Sequence, residues 1–298
     1  MKYNQLGKSD LQASEISYGC MSLQDDHAAN ARLLHQAFDQ GINYFDTADL
    51  YQKGENEASV GKAFKGRRSN VLLATKVGNQ LLPDGSTAWN ASKAYILQAV
   101  EQSLRRLQTD YIDLYQLHGG TLDDPIDDTI AAFEQLQQEG KIRYYGISSI
   151  RPNVIREYVQ RSAMVSVMTQ YSLLDRRPEE ETLKLLHEHS ISVMVRGSYA
   201  QGLLLDKPAK EYLGHSAKEV GAMATAVRAT AGELHTAPAQ VAARFVLDTP
   251  GVASAVLGIR TAEQLAEALR IKECTVLPSQ ARQTLEEVLE SKQYEQHR

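Results

Sequence analysis

Eight short runs rich in β-formers alternate with longer amphipathic runs along this chain. That alternation limits the fold to a parallel sheet wrapped by helices. Candidate strands fall at Glu15–Tyr18, Tyr44–Asp46, Val71–Lys76, Ile112–Gln116, Tyr144–Ser148, Val167–Gln170, Ser192–Arg196 and Ala253–Leu257. The clearest helical stretches are Ser92–Leu107 and Ile126–Glu139; in the first, Ile96, Val100, Leu104 and Leu107 recur at helical spacing. Ser92 reads as an N-cap, Gly140 as a helix stop, and Thr261 with Gln264 as a capping box. Eight strand–helix units predict closure into a (β/α)8 TIM barrel, an α/β fold. A doubly wound open sheet is the rival, but no GxGxxG follows the first strand, and polar residues follow many strands rather than one.

Residues 2–14 predict a small hairpin ahead of the barrel, and the stretch from Pro278 an extra amphipathic helix behind it. Two irregular regions, Gly78–Asn90 and Tyr199–Ala217, are expected to overhang the barrel mouth. The first carries the single tryptophan, Trp89. With Tyr199, it is a candidate aromatic wall of a substrate pocket. No low-complexity or Pro/Gly-rich linker divides the chain, so residues 1–298 read as one domain.

Composition narrows the function classes. A net charge of -5 and a pI near 5.9 argue against a nucleic-acid partner. Cys20 and Cys274 form no CxxC pattern, so neither a disulfide framework nor a zinc site is indicated. The N-terminal segment lacks the apolar core of a signal peptide, and no apolar run is long enough to span a bilayer. A cytoplasmic protein with no membrane partner is the expectation.

Chemistry collects at the strand ends. Asp46 closes the second strand, Lys76 the third, and His118 follows the fourth, while Tyr51 sits in the loop after Asp46. A free phenol has a pKa near 10, too high for an efficient acid at neutral pH. An adjacent Lys76 ammonium favours the phenolate and makes Tyr51 a better donor, Asp46 holds the ammonium, and a neutral His118 orients a carbonyl. Each residue alone has a structural explanation: a cap, a packed ring, a solvated amine, a turn histidine. Together, on consecutive strands, they point to proton transfer to a carbonyl oxygen.

The segments GINYFDTADLY, LLATKVG, DYIDLYQLH, EGKIRYYGISS and TQYSLLDR resemble the signature blocks of the aldo-keto reductases, above all the bacterial members with QYSLLDR. The resemblance runs from the hairpin to about Arg270. It implies NADPH-dependent reduction of small aldehydes or ketones by a monomer. Tyr51 is then the general acid, Lys76 and Asp46 tune it, and His118 orients the carbonyl. Ser148 and Gln170 match the residues that bond the nicotinamide carboxamide, and Gly202 to Leu204 the stretch covering the pyrophosphate. In the block Leu257–Leu269, Gly258 and Arg260 open a helix at the adenosine phosphate, with Gln264 and Glu267 toward the adenine. Arg260 can fork a 2′-phosphate, which implies NADP(H) over NAD.

Three positions depart from the family pattern. Ser149 and Ala268 stand where Asn is usual, and Arg196 replaces an aromatic that stacks on the nicotinamide. The expectation for Arg196 is contact with cofactor phosphates or an acidic substrate.

Two other functions compete. Lys76 as a Schiff-base nucleophile would need a depressed amine pKa, and Asp46 pushes it the other way. A redox-sensing regulatory subunit with slow turnover would keep the same residues. Arg67–Arg68 and Arg176–Arg177 read as solvated basic pairs, and the acidic group Asp123, Asp124, Asp127 and Asp128 as a helix N-terminal turn.

Overall fold

The computed structural model describes residues 1–274 and 276–298. The chain opens with an antiparallel hairpin of β1 (Tyr3–Gln5) and β2 (Gln12–Ser14). Its turn lies against the barrel: a Cβ on Gly7 would meet the Val165 carbonyl oxygen at 2.4 Å. The Gly7 N–H donates to Ser192 Oγ at 2.8 Å. Only glycine allows that approach, and its φ of 53° is in the left-handed region.

Three barrel strands follow, β3 (Ile16–Gly19), β4 (Tyr44–Asp46) and β5 (Leu72–Val77). A second hairpin, β6 (Asn79–Leu81) and β7 (Thr87–Trp89), precedes the remaining five, β8 (Ile112–Leu117), β9 (Ile142–Ser148), β10 (Ser166–Gln170), β11 (Ser192–Arg196) and β12 (Val252–Gly258). Over the described residues the helices are α1 (His27–Asp39), α2 (Glu55–Phe64), α3 (Lys93–Leu107), α4 (Ile126–Gln138), α5 (Pro152–Arg161), α6 (Thr182–Glu188), α7 (Ala217–Glu233), α8 (Pro238–Leu247), α9 (Ala262–Leu269) and α10 (Ser279–Glu287).

The eight strands pair in parallel around a closed barrel, so the fold is a (β/α)8 barrel. Every residue of β8 is buried, as strands covered on both faces require. Inside the barrel, Tyr44, Ala74, Leu114, Met168, Met194 and Val256 pack together with Leu6 and Leu11 of the hairpin. Leu6 and Leu11 are 0% and 1% exposed, and each contributes about 1.5–3 kcal/mol by burial. The hairpin therefore stops the N-terminal end of the barrel and leaves the C-terminal end as the mouth.

The structure revises some local expectations. Gly78–Asn90 is not irregular but carries β6 and β7. Its turn is set by Asp84, whose Oδ1 accepts from the Ser86 N–H at 2.9 Å, and by Gly85 at φ 83°. β6 is Asn-Gln-Leu, two polar amides and one apolar residue, and shows no run of β-formers in the sequence. The capping box at Thr261 is half formed: Thr261 Oγ1 accepts from the Gln264 N–H, but Gln264 Oε1 takes the N–H of Arg260 instead. A complete box stands at Ser216 and Glu219.

The basic pairs are not simply solvated. Arg68 Nη2 lies 2.6 Å from the buried Asp113 carboxylate. Arg176 pairs with Glu179 and Arg177 with Asp175. Among the described residues no helix is long and apolar enough to cross a membrane, and no cluster of three His, Cys, Asp or Glu could hold a metal.

Candidate active site

Asp46 is the last residue of β4 and Lys76 the penultimate residue of β5; both point into the barrel mouth from adjacent, in-register strands. Lys76 Nζ donates to Asp46 Oδ2 at 2.6 Å and to the Thr47 carbonyl at 2.7 Å. Lys76 is 1% exposed and Asp46 4%. Such a buried pair persists only when its remaining lone pairs are filled. Gln116 on β8 supplies that bond, donating Nε2 to Asp46 Oδ1 at 3.3 Å. Burial alone pulls the Lys76 amine down, but Asp46 and Tyr51 outweigh it and hold the amine above its ordinary value.

Tyr51 comes from the loop after β4, its ring centroid 5.2 Å from Lys76 Nζ. The His118 ring meets it edge-on at 5.9 Å. Burial raises the Tyr51 phenol above its ordinary value, and Lys76 draws it back only in part. Lys76 favours the phenolate as expected, but desolvation is the larger effect, and the phenol stays protonated. Burial, then Lys76 and Arg196, push His118 down to about 3, so its imidazole is neutral at pH 7. Its Nδ1 is buried and without a hydrogen-bond partner among the described residues.

The loop carrying Tyr51 is strained and heavily tied. Gln52, Lys53 and Gly54 take φ values of 50°, 54° and 95° in succession. Non-glycine residues there cost about 1–3 kcal/mol each unless the surroundings impose the conformation. Asn56 does so: Nδ2 donates to the Cys20 carbonyl at 2.8 Å and to Gln52 Oε1 at 3.1 Å, while Oδ1 accepts from Thr47 Oγ1 at 2.7 Å. Sequence reading missed Asn56 and Gln116. Gln116 was findable, since it shares the inward face of β8 with Leu114, two residues back.

The other half of the mouth gathers Ser148, Gln170 and Arg196, which end β9, β10 and β11. Gln170 is opposite Arg196, and Arg196 Nη1 donates to Gln170 Oε1 at 2.7 Å. Gly202 takes φ 89°, and its N–H donates to the Tyr199 carbonyl at 2.8 Å, so that amide is spent within the turn. Leu204 is fully buried.

At the end of β12, Gly258 and Arg260 are exposed, as are Gln264 and Glu267 on α9. Ala268 is 3% exposed, in the core. Ser149 is buried, its Oγ accepting from the Arg151 N–H at 3.2 Å. The hydroxyl of Tyr199 is buried without a partner among the described residues, and burial with the charge of Glu267 on α9 raises its pKa. Trp89 lies against the residues that follow β5 and β8: a Cβ on Gly78 would meet its Cζ3 at 2.6 Å, and one on Gly119 would meet it at 3.3 Å. Of the acidic group read as a helix N-terminal turn, Asp127 and Asp128 lie in the first turn of α4, while Asp124 precedes it and accepts from Trp89 Nε1 at 2.7 Å.

Residues 15–290 match the model of the aldo/keto reductase family. The chain belongs to the aldo/keto reductase family. Aldo-keto reductases are oxidoreductases that use nicotinamide cofactors and act on small carbonyl compounds.

The chain is 48% identical over 309 aligned positions, covering all of both chains, to the uncharacterized oxidoreductase YqkF of Bacillus subtilis. It is 33% identical over 239 positions to the NADH-specific methylglyoxal reductase of Escherichia coli, covering 73% of each. Among solved structures, aldo-keto reductase AKR11C1 from Bacillus halodurans in its holo form shares 50% identity at a TM-score of 0.93, over 100% of this chain and 99% of that one. The apo form of the same protein matches at 0.85 over the same shares, with 47% identity.

Proposed function

We propose that this aldo-keto reductase reduces aldehydes or ketones to alcohols with NADPH, using Tyr51 as the proton donor. The observation that carries the reading is the buried Lys76–Asp46 pair beneath Tyr51, with a neutral His118 against the same ring.

The residues around the mouth fit a dinucleotide. Gly258 and the exposed Arg260 open α9. The first turn of α9 and a guanidinium suit a phosphate, and Arg260 can grip a 2′-phosphate through two N–H bonds. That is the argument for NADP(H), although one relative is named NADH-specific. Gln264 and Glu267 lie on the adenine side. Gly202 and Leu204 shape the cover over the pyrophosphate, and Ser148, Gln170 and Arg196 face the nicotinamide end.

When bound, the reduced nicotinamide supplies a hydride to the carbonyl carbon. The carbonyl oxygen takes the Tyr51 proton, and the phenolate left behind is stabilised by the Lys76 ammonium at the moment it forms. This is where the lysine acts: its effect on the resting phenol is smaller than that of burial, but the developing charge meets a fixed cation. Asp46, Thr47 and Gln116 hold that cation in place. His118, neutral, donates its N–H to the same oxygen without competing as an acid.

The test is NADPH consumption with a panel of small aldehydes for wild type and Tyr51→Phe. Turnover that collapses in Tyr51→Phe, with NADPH binding retained, supports the reading. Equal turnover by the two proteins would remove Tyr51 as the donor. Binding without turnover in wild type would favour a redox-sensing subunit instead.

A further inference from the structure

The segment after α10 has no regular secondary structure, yet Tyr294 within it is only 7% exposed. Irregular termini fray unless tied down. This one is tied at several points. Arg298 pairs with Glu180, Glu180 Oε2 also takes the Tyr294 N–H at 3.4 Å, and the His297 carbonyl accepts from the Asn153 N–H at 2.9 Å. These partners follow β9 and β10, so the tail is folded back onto the barrel mouth.

There the Tyr294 ring covers the guanidinium of Arg177, 4.8 Å from its centroid. Arg177 forks the Asp175 carboxylate, Nε to Oδ1 at 2.7 Å and Nη2 to Oδ2 at 2.9 Å. Asp175 is 2% exposed, and its Oδ2 also accepts from Gln170 Nε2 at 2.9 Å. The same Nε2 donates to the Tyr212 hydroxyl at 3.2 Å, and Gln170 Oε1 accepts from Arg196.

The direction of the Gln170 amide follows from chemistry. A carboxylate only accepts and a guanidinium only donates, so Nε2 must face Asp175 and Oε1 must face Arg196. With both N–H groups engaged, Gln170 has an acceptor, and no donor, to offer a carboxamide.

We propose that Tyr294 is a positioning residue for the nicotinamide end of the cofactor, acting through Arg177 and Asp175 on Gln170 and Arg196. The ring keeps water from the Arg177–Asp175 fork, and a fork in a drier setting holds its geometry more firmly. Asp175 then fixes Gln170, and Gln170 holds the Arg196 guanidinium at the mouth. Removing the ring wets the fork and releases the amide. The inference rests on the cofactor reading above.

The experiment measures NADPH affinity by calorimetry, with KM and kcat, for the full-length wild type, Tyr294→Ala, Tyr294→Phe and Arg177→Lys. Tyr294→Ala is expected to weaken NADPH binding by about tenfold with kcat changed by less than about twofold, a coupling of ordinary size between contacting residues. Tyr294→Phe keeps the ring and should bind as wild type does. Arg177→Lys keeps the charge but loses the fork, and should resemble Tyr294→Ala. Unchanged affinity in Tyr294→Ala, or Tyr294→Phe as weak as Tyr294→Ala, overturns the proposal. Should Tyr294→Ala not fold, Arg177→Lys with unchanged affinity overturns it equally. Failure of wild type to bind NADPH would sink the cofactor reading itself, and the positioning role with it.

Discussion

Gln116 donates to the one Asp46 oxygen that Lys76 does not take, so the buried carboxylate is bonded on both oxygens. Replacing Gln116 by Leu leaves Asp46 Oδ1 unpaired in a dry site, a loss of about 1–3 kcal/mol. Chemical denaturation should show that loss. Turnover should also fall, by about tenfold, because the cation beside Tyr51 is no longer held in one place. A variant as stable and as active as wild type would show that the bond contributes nothing.

His118 makes stability depend on acid in a defined window. Its folded-state pKa, about 3, lies below the unfolded value of about 6.5, so between these two the unfolded chain binds more protons than the folded one. Its contribution is therefore fully present above about pH 6.5 and is lost as the pH falls toward 3, by up to about 1.4 kcal/mol per pH unit. Unfolding curves for wild type and His118→Gln should converge as the pH falls through that window. Parallel curves would contradict the shift.

Asp49 has the opposite sign. Burial, followed by the charge of Glu57, pushes its carboxyl up to about 7, and its Oδ1 is buried with no partner among the described residues. The folded state now binds the extra proton, so stability declines as the pH rises from about 4 to 7. Asp49→Asn removes the decline. It should be more stable than wild type at pH 8 by about 1 kcal/mol or more, read as a shift in denaturation midpoint. An equal or lower midpoint would count against a buried, reluctant acid.

Gly78 accommodates Trp89 by lacking a side chain. Gly78→Ala places a methyl group 2.6 Å from the indole at a φ of 126°, which alanine rarely adopts. The expected loss is about 2–3 kcal/mol, of which Trp89→Leu should recover the steric part and not the backbone part. A double-mutant cycle measures the split.

Arg260→Ala should raise KM for NADPH by about tenfold or more and leave KM for NADH nearly unchanged, since only NADPH carries the 2′-phosphate. Equal effects on both cofactors would place Arg260 elsewhere on the dinucleotide.

What could be read from the sequence followed from the barrel itself. Asp46, Lys76 and His118 were legible because each lies at or just beside the C-terminal end of a short strand, and strand ends in a barrel converge on one mouth. Arg177 was not: its partners are Asp175, two residues away, and Tyr294, more than a hundred residues on, in a tail with no periodicity. Charge pairs and covering rings of that kind are set by tertiary packing and leave no local pattern. Asn56 escaped notice for a related reason. Its role depends on Gln52 and Lys53 adopting left-handed backbone, which their side chains do not announce. The direction of the Tyr51 shift needed the burial of the ring, which no sequence motif supplies.

The chain has a single tryptophan, and the fold sets it against Gly78 and Gly119, within a few residues of Lys76 and His118. Indole emission from this protein therefore has one origin, at the rim of the barrel mouth. The molecule carries its own optical gauge: anything that enters beside Trp89, or shifts the hairpin that bears it, can be followed in the unlabelled protein without a background from elsewhere in the chain.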